Sequence, residues 1–289
     1  MIKGILWDID GVLIGEKQGL NCPNPTPDVV AKLLANQANG IPNIICTARL
    51  GSTIPAIFPG FSGPFITDNG SLIIDSAGKI LQQHTLDKEN AKEIVKLMLE
   101  NNIYTEVYTP NAHYVQKEQA NEMTDKITGL QHKAPTVANS LLDICDNESI
   151  IKIMPIVPKM SEKATLADLL KPLGQHNDIA WTHTPSLPYQ FAIVTAKGVT
   201  KKRGAIDVSE ILGIPLENML GVGDTMGDWQ FIEMCGYGAA MGNAIEELKE
   251  KVRSKGENGY VGKSVDENGA IDIVNHFERE FLSNESYSA

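Results

Sequence analysis

The chain has 289 residues, a formal net charge of −11, and 42% hydrophobic against 21% charged residues. This length predicts one large or two moderate domains, and the composition is typical of a soluble globular protein. The negative charge opposes binding to nucleic acid or anionic membranes, and no apolar run approaches the ~20 residues of a membrane span. A small phosphorylated ligand remains compatible, because it needs only local donors and a cation.

The cysteines and the start of the chain indicate the compartment. Four widely spaced cysteines without a C-x-x-C pair predict neither a zinc site nor a disulfide framework. The chain enters a strand directly, without the basic and apolar segments of a signal peptide. We therefore expect a cytoplasmic protein with buried or partly buried thiols, and no sequence pattern specifies an oligomer.

The first element is a buried strand that ends in two carboxylates. Ile2 and residues 5–7 form an apolar run typical of a parallel sheet covered on both faces. Asp8 and Asp10 follow, and Gly11 allows a sharp turn. Where a strand frays into a turn, two such carboxylates can address opposite sides of one reacting centre. The pair suggests Mg²⁺ and aspartyl-phosphate chemistry, but a loop-capping Asp beside a solvated one explains the short motif equally well.

A helix and a second strand come next. Residues 26–28, Thr-Pro-Asp, predict a helix start, and residues 41–46 predict a short apolar strand. A right-handed parallel crossover would place Thr47, which follows that strand, near Asp8. The Thr47 hydroxyl and the Arg49 guanidinium could then bind phosphate oxygens, although each is also an ordinary strand-end or surface residue.

The middle of the chain has a different character. Residues 65–74 predict a strand, an Asn-Gly turn and a strand. Helices and paired short strands over residues 83–188 predict an inserted α+β domain. The predicted core therefore comprises residues 1–82 and 189–289, with parallel alternation resuming at the strand Gln190–Val194.

A second group of charged residues lies in the last third of the chain. Lys201 stands near a predicted helix start, where the helix dipole disfavours a cation unless an anion is bound nearby. Asp224 and Asp228 follow the predicted strand 219–223, and their spacing lets both reach one cation. Hard oxygen ligands without a nearby histidine favour Mg²⁺ over zinc.

Taken in order, these motifs resemble those of the haloacid dehalogenase-like superfamily of phosphohydrolases. The matching motifs are Asp8-Ile9-Asp10-Gly11-Val12, Thr47, Lys201, and Gly223-Asp224 with Asp228. Further stretches are similar to the Cof-type sugar-phosphatase subfamily: Thr47-x-Arg49, Asp68-Asn69-Gly70, Gly198–Lys201 and Ala240–Ala244. The resemblance implies a doubly wound, Rossmann-like parallel-sheet core, with a C2-type α+β cap inserted between the second and third motifs.

The resemblance also implies a role for each matching residue. Asp8 would be the nucleophile and Asp10 the general acid/base. Thr47 and Lys201 would hold the phosphoryl oxygens, and Asn243 would support the phosphate-binding loop.

The resemblance also implies a metal site, and the sequence departs from the family pattern at two positions. The implied Mg²⁺ ligands are Asp8, the backbone carbonyl of Asp10, Asp224 and, in or just behind the ligand shell, Asp228. Ala48 replaces the glycine usual before Arg49, which puts the contact made by Arg49 in doubt. Gly227 replaces the asparagine usual before the last aspartate, which removes a possible loop or metal contact.

The resulting expectation is a Mg²⁺-dependent phosphatase that acts on a small phosphorylated metabolite, a sugar or sugar-acid phosphate. One alternative is a phosphomutase using the same aspartyl phosphate, and another is a noncatalytic phospho-receiver or sensor. The inserted cap would select the substrate. Its candidate substrate-facing residues, which are also ordinary packing or surface residue types, are Tyr108, His113, Tyr114, Lys152 and His183.

Overall fold

The computed structural model describes residues 1–131, 133–184 and 187–281. The strands, numbered in chain order, are β1 (Gly4–Trp7), β2 (Asn43–Cys46), β3 (Phe65–Thr67), β4 (Leu72–Ile74), β5 (Ile80–Gln83), β6 (Tyr104–Tyr108), β7 (His113–Gln116), β8 (Thr136–Ala138), β9 (Lys152–Val157), β10 (Asn177–Thr184), β11 (Leu187–Ala196), β12 (Met219–Gly223), β13 (Tyr237–Ala240) and β14 (Gly259–Val261). The helices are α1 (Pro27–Ala38), α2 (Ile54–Ile57), α3 (Lys88–Glu100), α4 (Glu122–Gln131), α5 (Leu141–Asn147), α6 (Lys163–Leu170), α7 (Lys201–Leu212), α8 (Met226–Ile232), α9 (Glu246–Arg253), α10 (Gly269–His276) and α11 (Glu278–Phe281).

The first sheet has eight strands in the order β14-β13-β12-β1-β2-β3-β4-β5. Its centre, β1, pairs in parallel with β12 on one side and β2 on the other, so that Trp7 lies opposite Val222 and Ile45. The chain builds outward from β1 to β3 and, in the other direction, from β12 to β14. Doubly wound sheets bind ligands where this direction changes, beyond the carboxyl ends of the strands. The predicted parallel core is confirmed, and the ends of β1 and β12 are neighbours.

The side chains of β1 fix this strand in the middle of the sheet. Ile5, Leu6 and Trp7 are fully buried, and Trp7 Nε1 donates a hydrogen bond to Asn43 Oδ1 (3.1 Å). Burying a large apolar side chain contributes about 1.5–3 kcal/mol. The hydrogen bond of the indole N–H offsets the cost of removing that group from water. The strand that delivers Asp8 is therefore rigidly held.

Helix α7 is held close to the predicted hairpin of β3 and β4, which pair antiparallel. Gly204 makes this approach possible, because a Cβ at that position would overlap the side chain of Ile66 and lie 3.3 Å from Gly70 Cα. The first turn of α7, which carries Lys201, is thereby fixed against the first sheet.

The helices are surface elements packed on the sheets. Helix α1 begins as predicted, with Thr26 Oγ1 accepting a hydrogen bond from the Val29 N–H (3.3 Å) and Pro27 at the first helical position. Val29 and Leu33 are its buried residues. Within the ranges given above, none of the helices has both the length and the apolar character that a membrane crossing requires.

The second sheet has six strands in the order β10-β11-β9-β6-β7-β8, antiparallel except between β7 and β8. On one face, Val107, Ile153 and Val194 pack with buried residues of α3, α5 and α6. This mixed sheet with helices confirms the predicted α+β cap.

The strand predicted at Gln190–Val194 lies in this second sheet and not in the core. It is part of β11, which pairs antiparallel with β10 and β9, so the boundary predicted at residue 189 is too early. The error has a physical reason, because seven consecutive residues of β11 are buried. A central strand covered on both faces has the same continuous apolar pattern as a strand of a parallel core. The second sheet extends to Ala196, and the core resumes after it.

Candidate active site

Four charged side chains converge where β1, β12 and α7 meet. Lys201 Nζ donates hydrogen bonds to Asp8 Oδ1 (2.8 Å) and to Asp228 Oδ1 (2.7 Å). One carboxylate oxygen each from Asp8, Asp224 and Asp228 lies within 4.8 Å of the others. Asp8, Lys201 and Asp228 are all buried. The Lys201 ammonium therefore binds two buried carboxyl groups, with the half-buried Asp224 carboxyl group beside them.

This crowding changes the ionisation of the cluster. Burial, and then the charge of Asp228, raise the pKa of Asp8 to about 7, against the opposing effect of Lys201. Burial and the charges of Asp8 and Asp228 raise the pKa of Asp224 to about 9. Burial alone would lower the pKa of Lys201, but Asp228 and Asp8 raise it well above its ordinary value. The one positive charge of Lys201 does not balance the three carboxyl groups when they are ionised. A divalent cation would supply the missing positive charge.

Asp228 also fixes the turn that follows β12. Its Oδ2 accepts hydrogen bonds from the Asp224 N–H (3.1 Å), the Thr225 N–H (2.9 Å) and the Thr225 hydroxyl (3.1 Å). Since Oδ1 is bound to Lys201, both oxygens of Asp228 are engaged. By contrast, Asp224 Oδ1 is buried and has no hydrogen-bond partner among the described residues.

Asp10 lies outside this buried cluster. Its side chain is 61% exposed, and Arg49 binds it through both carboxylate oxygens, from Nε to Oδ2 (3.0 Å) and from a terminal guanidinium nitrogen to Oδ1 (2.6 Å). Such forked pairing fixes the carboxylate in orientation as well as in position. Asp8 and Asp10 thus have separate surroundings, one nearly dry and one open to water.

The turn after Asp10 depends on Gly11 and Asn243. Gly11 has φ of +80°, and a Cβ there would overlap the Asp224 carboxylate, so the position requires glycine. Asn243 Nδ2 donates to the Gly11 carbonyl (2.8 Å), while Asn243 Oδ1 accepts from the Val265 N–H (2.8 Å). Asn243 therefore connects two loops at the edge of the sheet. That it supports a phosphate-binding loop remains a prediction.

Thr47 lies at the carboxyl end of β2, beside β1. It is buried, its Oγ1 accepts a hydrogen bond from the Arg49 N–H (3.1 Å), and its carbonyl accepts one from the Asn69 N–H (3.0 Å). The structure therefore brings the residues of the predicted core site to one edge of one sheet: Asp8, Asp10, Thr47, Arg49, Lys201, Asp224, Asp228 and Asn243.

The predicted cap residues separate into two groups. Lys152, Tyr108 and His113 lie opposite one another on β9, β6 and β7 and therefore share one face of the sheet. Tyr114, the next residue after His113, packs with the apolar cluster on the helix-covered face. The side chain of His183 lies outside the described residues.

Two residues with clear structural roles were absent from the predicted site. Asp68, which belongs to the motif Asp68-Asn69-Gly70, binds Lys152 Nζ through Oδ1 (2.6 Å). Glu106 is buried in the cap, where its carboxylate accepts hydrogen bonds from the hydroxyls of Tyr104 (3.0 Å) and Tyr108 (2.5 Å). Residues 104, 106 and 108 share one face of the strand, so the sequence places Glu106 between two tyrosines. This pattern could have identified Glu106 as a hydrogen-bonded carboxylate.

We expect His113 to make the stability of the protein depend on pH. Its side chain is 1% exposed, neither ring nitrogen has a hydrogen-bond partner among the described residues, and burial, reinforced by Lys152 and Lys133, lowers its pKa to about 4. Below pH ~6.5 the unfolded chain therefore binds a proton at this residue that the folded chain does not, and the contribution of His113 to stability falls as the pH drops towards 4. Over that range the loss is about 3 kcal/mol.

Urea unfolding of wild type and His113→Phe at pH 7 and pH 4.5 measures this contribution. Phenylalanine retains a flat ring that can stack on Tyr108 but has no titrating group, so the variant should lose less stability on acidification. Replacing the exposed His176 by glutamine is the matched control and should leave the wild-type pH dependence unchanged. An unchanged pH dependence in His113→Phe would contradict the assignment.

Known proteins resemble this chain over most of its length. The model of a family described as haloacid dehalogenase-like hydrolase matches residues 5–273. The 5-amino-6-(5-phospho-D-ribitylamino)uracil phosphatase YwtE of Bacillus subtilis is 27% identical, with 94% of this chain and 97% of that protein aligned. The phosphatase YwpJ of Bacillus subtilis is 25% identical, over 95% of this chain and 99% of that protein. The resemblance inferred from the motifs is confirmed.

Solved structures show the same fold. A HAD subclass IIB sugar phosphatase superposes with a TM-score of 0.74 at 25% identity, covering 96% of this chain and 99% of that one. A Thermotoga maritima protein superposes with a TM-score of 0.79 at 18% identity, covering 95% and 97%. Both similarities extend over the core and the cap together.

Proposed function

The chain belongs to the haloacid dehalogenase-like hydrolase family and is a phosphatase, and we propose that it hydrolyses a small phosphorylated metabolite through an aspartyl phosphate on Asp8, with Mg²⁺ as cofactor. The cluster of Asp8, Asp224 and Asp228, with Lys201 bound to Asp8 and Asp228, is the observation that supports this most directly. Phosphoryl transfer depends mainly on positioning and charge neutralisation, which such a cluster provides.

In the first proposed step, a carboxylate oxygen of Asp8 forms a bond to phosphorus while the bond from phosphorus to the leaving oxygen breaks. Asp10, in its protonated form, gives its proton to that oxygen. In the second step, a water oxygen bonds to phosphorus, the bond to Asp8 breaks, and Asp10 takes a proton from the water. The products are the alcohol and inorganic phosphate, and both carboxyl groups return to their starting states.

The surroundings of the two aspartates support this division of roles. Lys201 Nζ lies 2.8 Å from Asp8 Oδ1, so its charge would be next to an attacked phosphoryl group. The buried Thr47, at the end of the neighbouring strand, is proposed to bind a second phosphoryl oxygen. Asp10 is exposed enough to meet both a leaving alcohol and water.

The donor set fits a divalent cation. It consists of hard carboxylate oxygens within 4.8 Å of one another. Among the described residues, the buried Asp224 Oδ1 has no hydrogen-bond partner and is free to bind a cation. Asp8, the Asp10 carbonyl and Asp224 would hold Mg²⁺, which would offset the negative charge of the carboxylate and the phosphate. Because both oxygens of Asp228 are already bound, we assign it the role of fixing the turn that carries Asp224.

We propose a sugar or sugar-acid phosphate as the substrate class. The named relatives act on a phosphorylated ribitylamino-uracil and, in the solved structure, on sugar phosphates. In this chain, Tyr108 and His113 lie on the cap face that also carries Lys152, whose ammonium reaches the core. Arg49, whose side chain is 22% exposed and paired with Asp10, is a further proposed substrate contact, to the phosphoryl group.

A panel of phosphorylated metabolites, assayed for phosphate release with Mg²⁺ and with a chelator, tests the proposal. We expect sugar or sugar-acid phosphates to be the best substrates and chelation to abolish turnover, because the acidic cluster then repels the phosphate dianion. Adding Mg²⁺ back should restore the rate, and Mg²⁺ should also raise the melting temperature without substrate. Undiminished phosphate release under chelation would contradict the metal requirement.

A further inference from the structure

A buried ion pair connects the cap to the core. Lys152 of β9 and Asp68 of the β3–β4 turn are 2% and 0% exposed, and Lys152 Nζ lies 2.6 Å from Asp68 Oδ1. The same ammonium donates a hydrogen bond to the Ala48 carbonyl (3.2 Å) and lies 3.9 Å from the centre of the Tyr108 ring. Its three hydrogens therefore have a carboxylate, a carbonyl and an aromatic face as partners.

The core side of this contact is the segment that carries Thr47 and Arg49. Lys152 donates a hydrogen bond to the carbonyl of Ala48, which lies between these two residues. The Asp68 N–H donates to the Arg49 carbonyl (2.9 Å). Asp68 Oδ2 accepts from the Gly51 N–H (3.0 Å), on the other side of Arg49. Lys152 and Asp68 together thus hold residues 47–51 from both domains.

The cap side is equally well fixed. Tyr108 lies opposite Lys152 on the neighbouring strand, and its hydroxyl donates to the buried Glu106 carboxylate. Gln131 at the end of α4 donates to the Tyr108 hydroxyl (2.8 Å). The ring beneath the Lys152 ammonium therefore cannot shift without breaking other hydrogen bonds of the cap.

We propose that Lys152 is a positioning residue, which places Thr47 and Arg49 for phosphoryl transfer when the cap is docked on the core. This inference rests on the proposed function. Lys152 then does not make the predicted substrate contact, because the hydrogens of its ammonium group are already bound to Asp68, Ala48 and the Tyr108 ring. A buried ion pair is weak evidence for stability, since apolar residues of similar size often serve as well. The role proposed for this pair is to select one docking geometry of the cap on the core.

Lys152→Met tests the assignment with two substrates, the best metabolite of the panel and a small aryl phosphate. We expect kcat/KM to fall at least tenfold for both, because the misplaced residues act on the phosphoryl group that the substrates share. A loss confined to the metabolite would identify Lys152 as a leaving-group contact and overturn the proposal. Lys163→Met is the matched control, because Lys163 lies over the Trp181 ring within the cap (5.0 Å) and should leave both rates unchanged.

The double variant Lys152→Met with Asp68→Asn separates positioning from stability. It removes the unpaired buried charge that Lys152→Met leaves behind, so its melting temperature should recover relative to the single variant, whereas its kcat should not. Recovery of both would show that the pair only stabilises the fold, and would overturn the proposal. If the wild type releases no phosphate from any panel member with Mg²⁺, both the proposed function and the positioning role fail. If the wild type is active and Lys152→Met is fully active, only the positioning role is contradicted.

Discussion

Replacing Asp8 by asparagine is expected to lower phosphate release by on the order of ten-thousandfold or more, because the variant has no carboxylate to attack phosphorus. The substitution is nearly isosteric, so β1 and its fully buried neighbours should keep their packing. Steady-state release from the best metabolite and from an aryl phosphate measures the effect. The loss should be large for both, because both substrates need the Asp8 carboxylate as nucleophile in the first step.

Stability measurements show whether Asp8→Asn remains folded. The pKa of Asp8 is raised to about 7 by burial and by Asp228, so at pH 8 its charge opposes folding of the metal-free protein. The variant should therefore be at least as stable as wild type at that pH in the presence of a chelator. Asp28→Asn, which changes an exposed aspartate in the first turn of α1, is the matched control and should keep wild-type turnover. A folded Asp8→Asn with Mg²⁺-dependent turnover above about a hundredth of the wild-type rate would exclude Asp8 as the nucleophile.

The residues at the sheet edge could be predicted because local sequence and topology act together there. Asp8, Thr47 and Asp224 each follow an apolar strand, and parallel pairing brings the ends of β1, β2 and β12 to the same edge. Lys201 was recognisable because a cation at a helix start is unfavourable without a nearby anion. For these residues, the order of the strands in the sheet is the only long-range information that the prediction needs.

The rest of the molecule depends on pairings that local patterns do not encode. The apolar run of β11 is compatible with either sheet, and only its antiparallel partners β9 and β10 place it in the cap. The ion pair of Lys152 and Asp68 joins residues that are 84 positions apart. Nothing in the sequence near either residue specifies the other, and the sequence indicated Lys152 only as a cap residue that faces a substrate.

Replacing Asp10 by asparagine is expected to leave the first chemical step possible with an aryl phosphate and to block the second. An aryl leaving group departs without a proton, so Asp8 can still be phosphorylated, whereas water then lacks the base that activates it. We expect a burst of one aryl alcohol per chain followed by turnover lowered roughly 10²–10⁴-fold. Acid quenching during the slow phase, followed by intact mass measurement, should show one covalently bound phosphate per chain.

Arg49→Met provides the matched control for this experiment. It removes the same ion pair with Asp10 but leaves the Asp10 carboxylate in place. Its turnover should fall without a burst, because the aspartyl phosphate is still hydrolysed as soon as it forms. A burst in both variants would mean that the ion pair, and not the carboxylate of Asp10, controls hydrolysis.

The phosphorylated form of wild type then distinguishes a phosphatase from the two alternatives. A receiver would keep its phosphate with Mg²⁺ present and with Asp10 intact, and Asp10→Asn would change little. A mutase would transfer the phosphoryl group from a sugar 1-phosphate to another hydroxyl of the sugar and release little inorganic phosphate. A phosphatase should accumulate the aspartyl phosphate only when Asp10 is replaced, because Asp10 is the exposed carboxylate that can meet water beside the buried Asp8. Accumulation in wild type would therefore contradict the hydrolytic role assigned to Asp10.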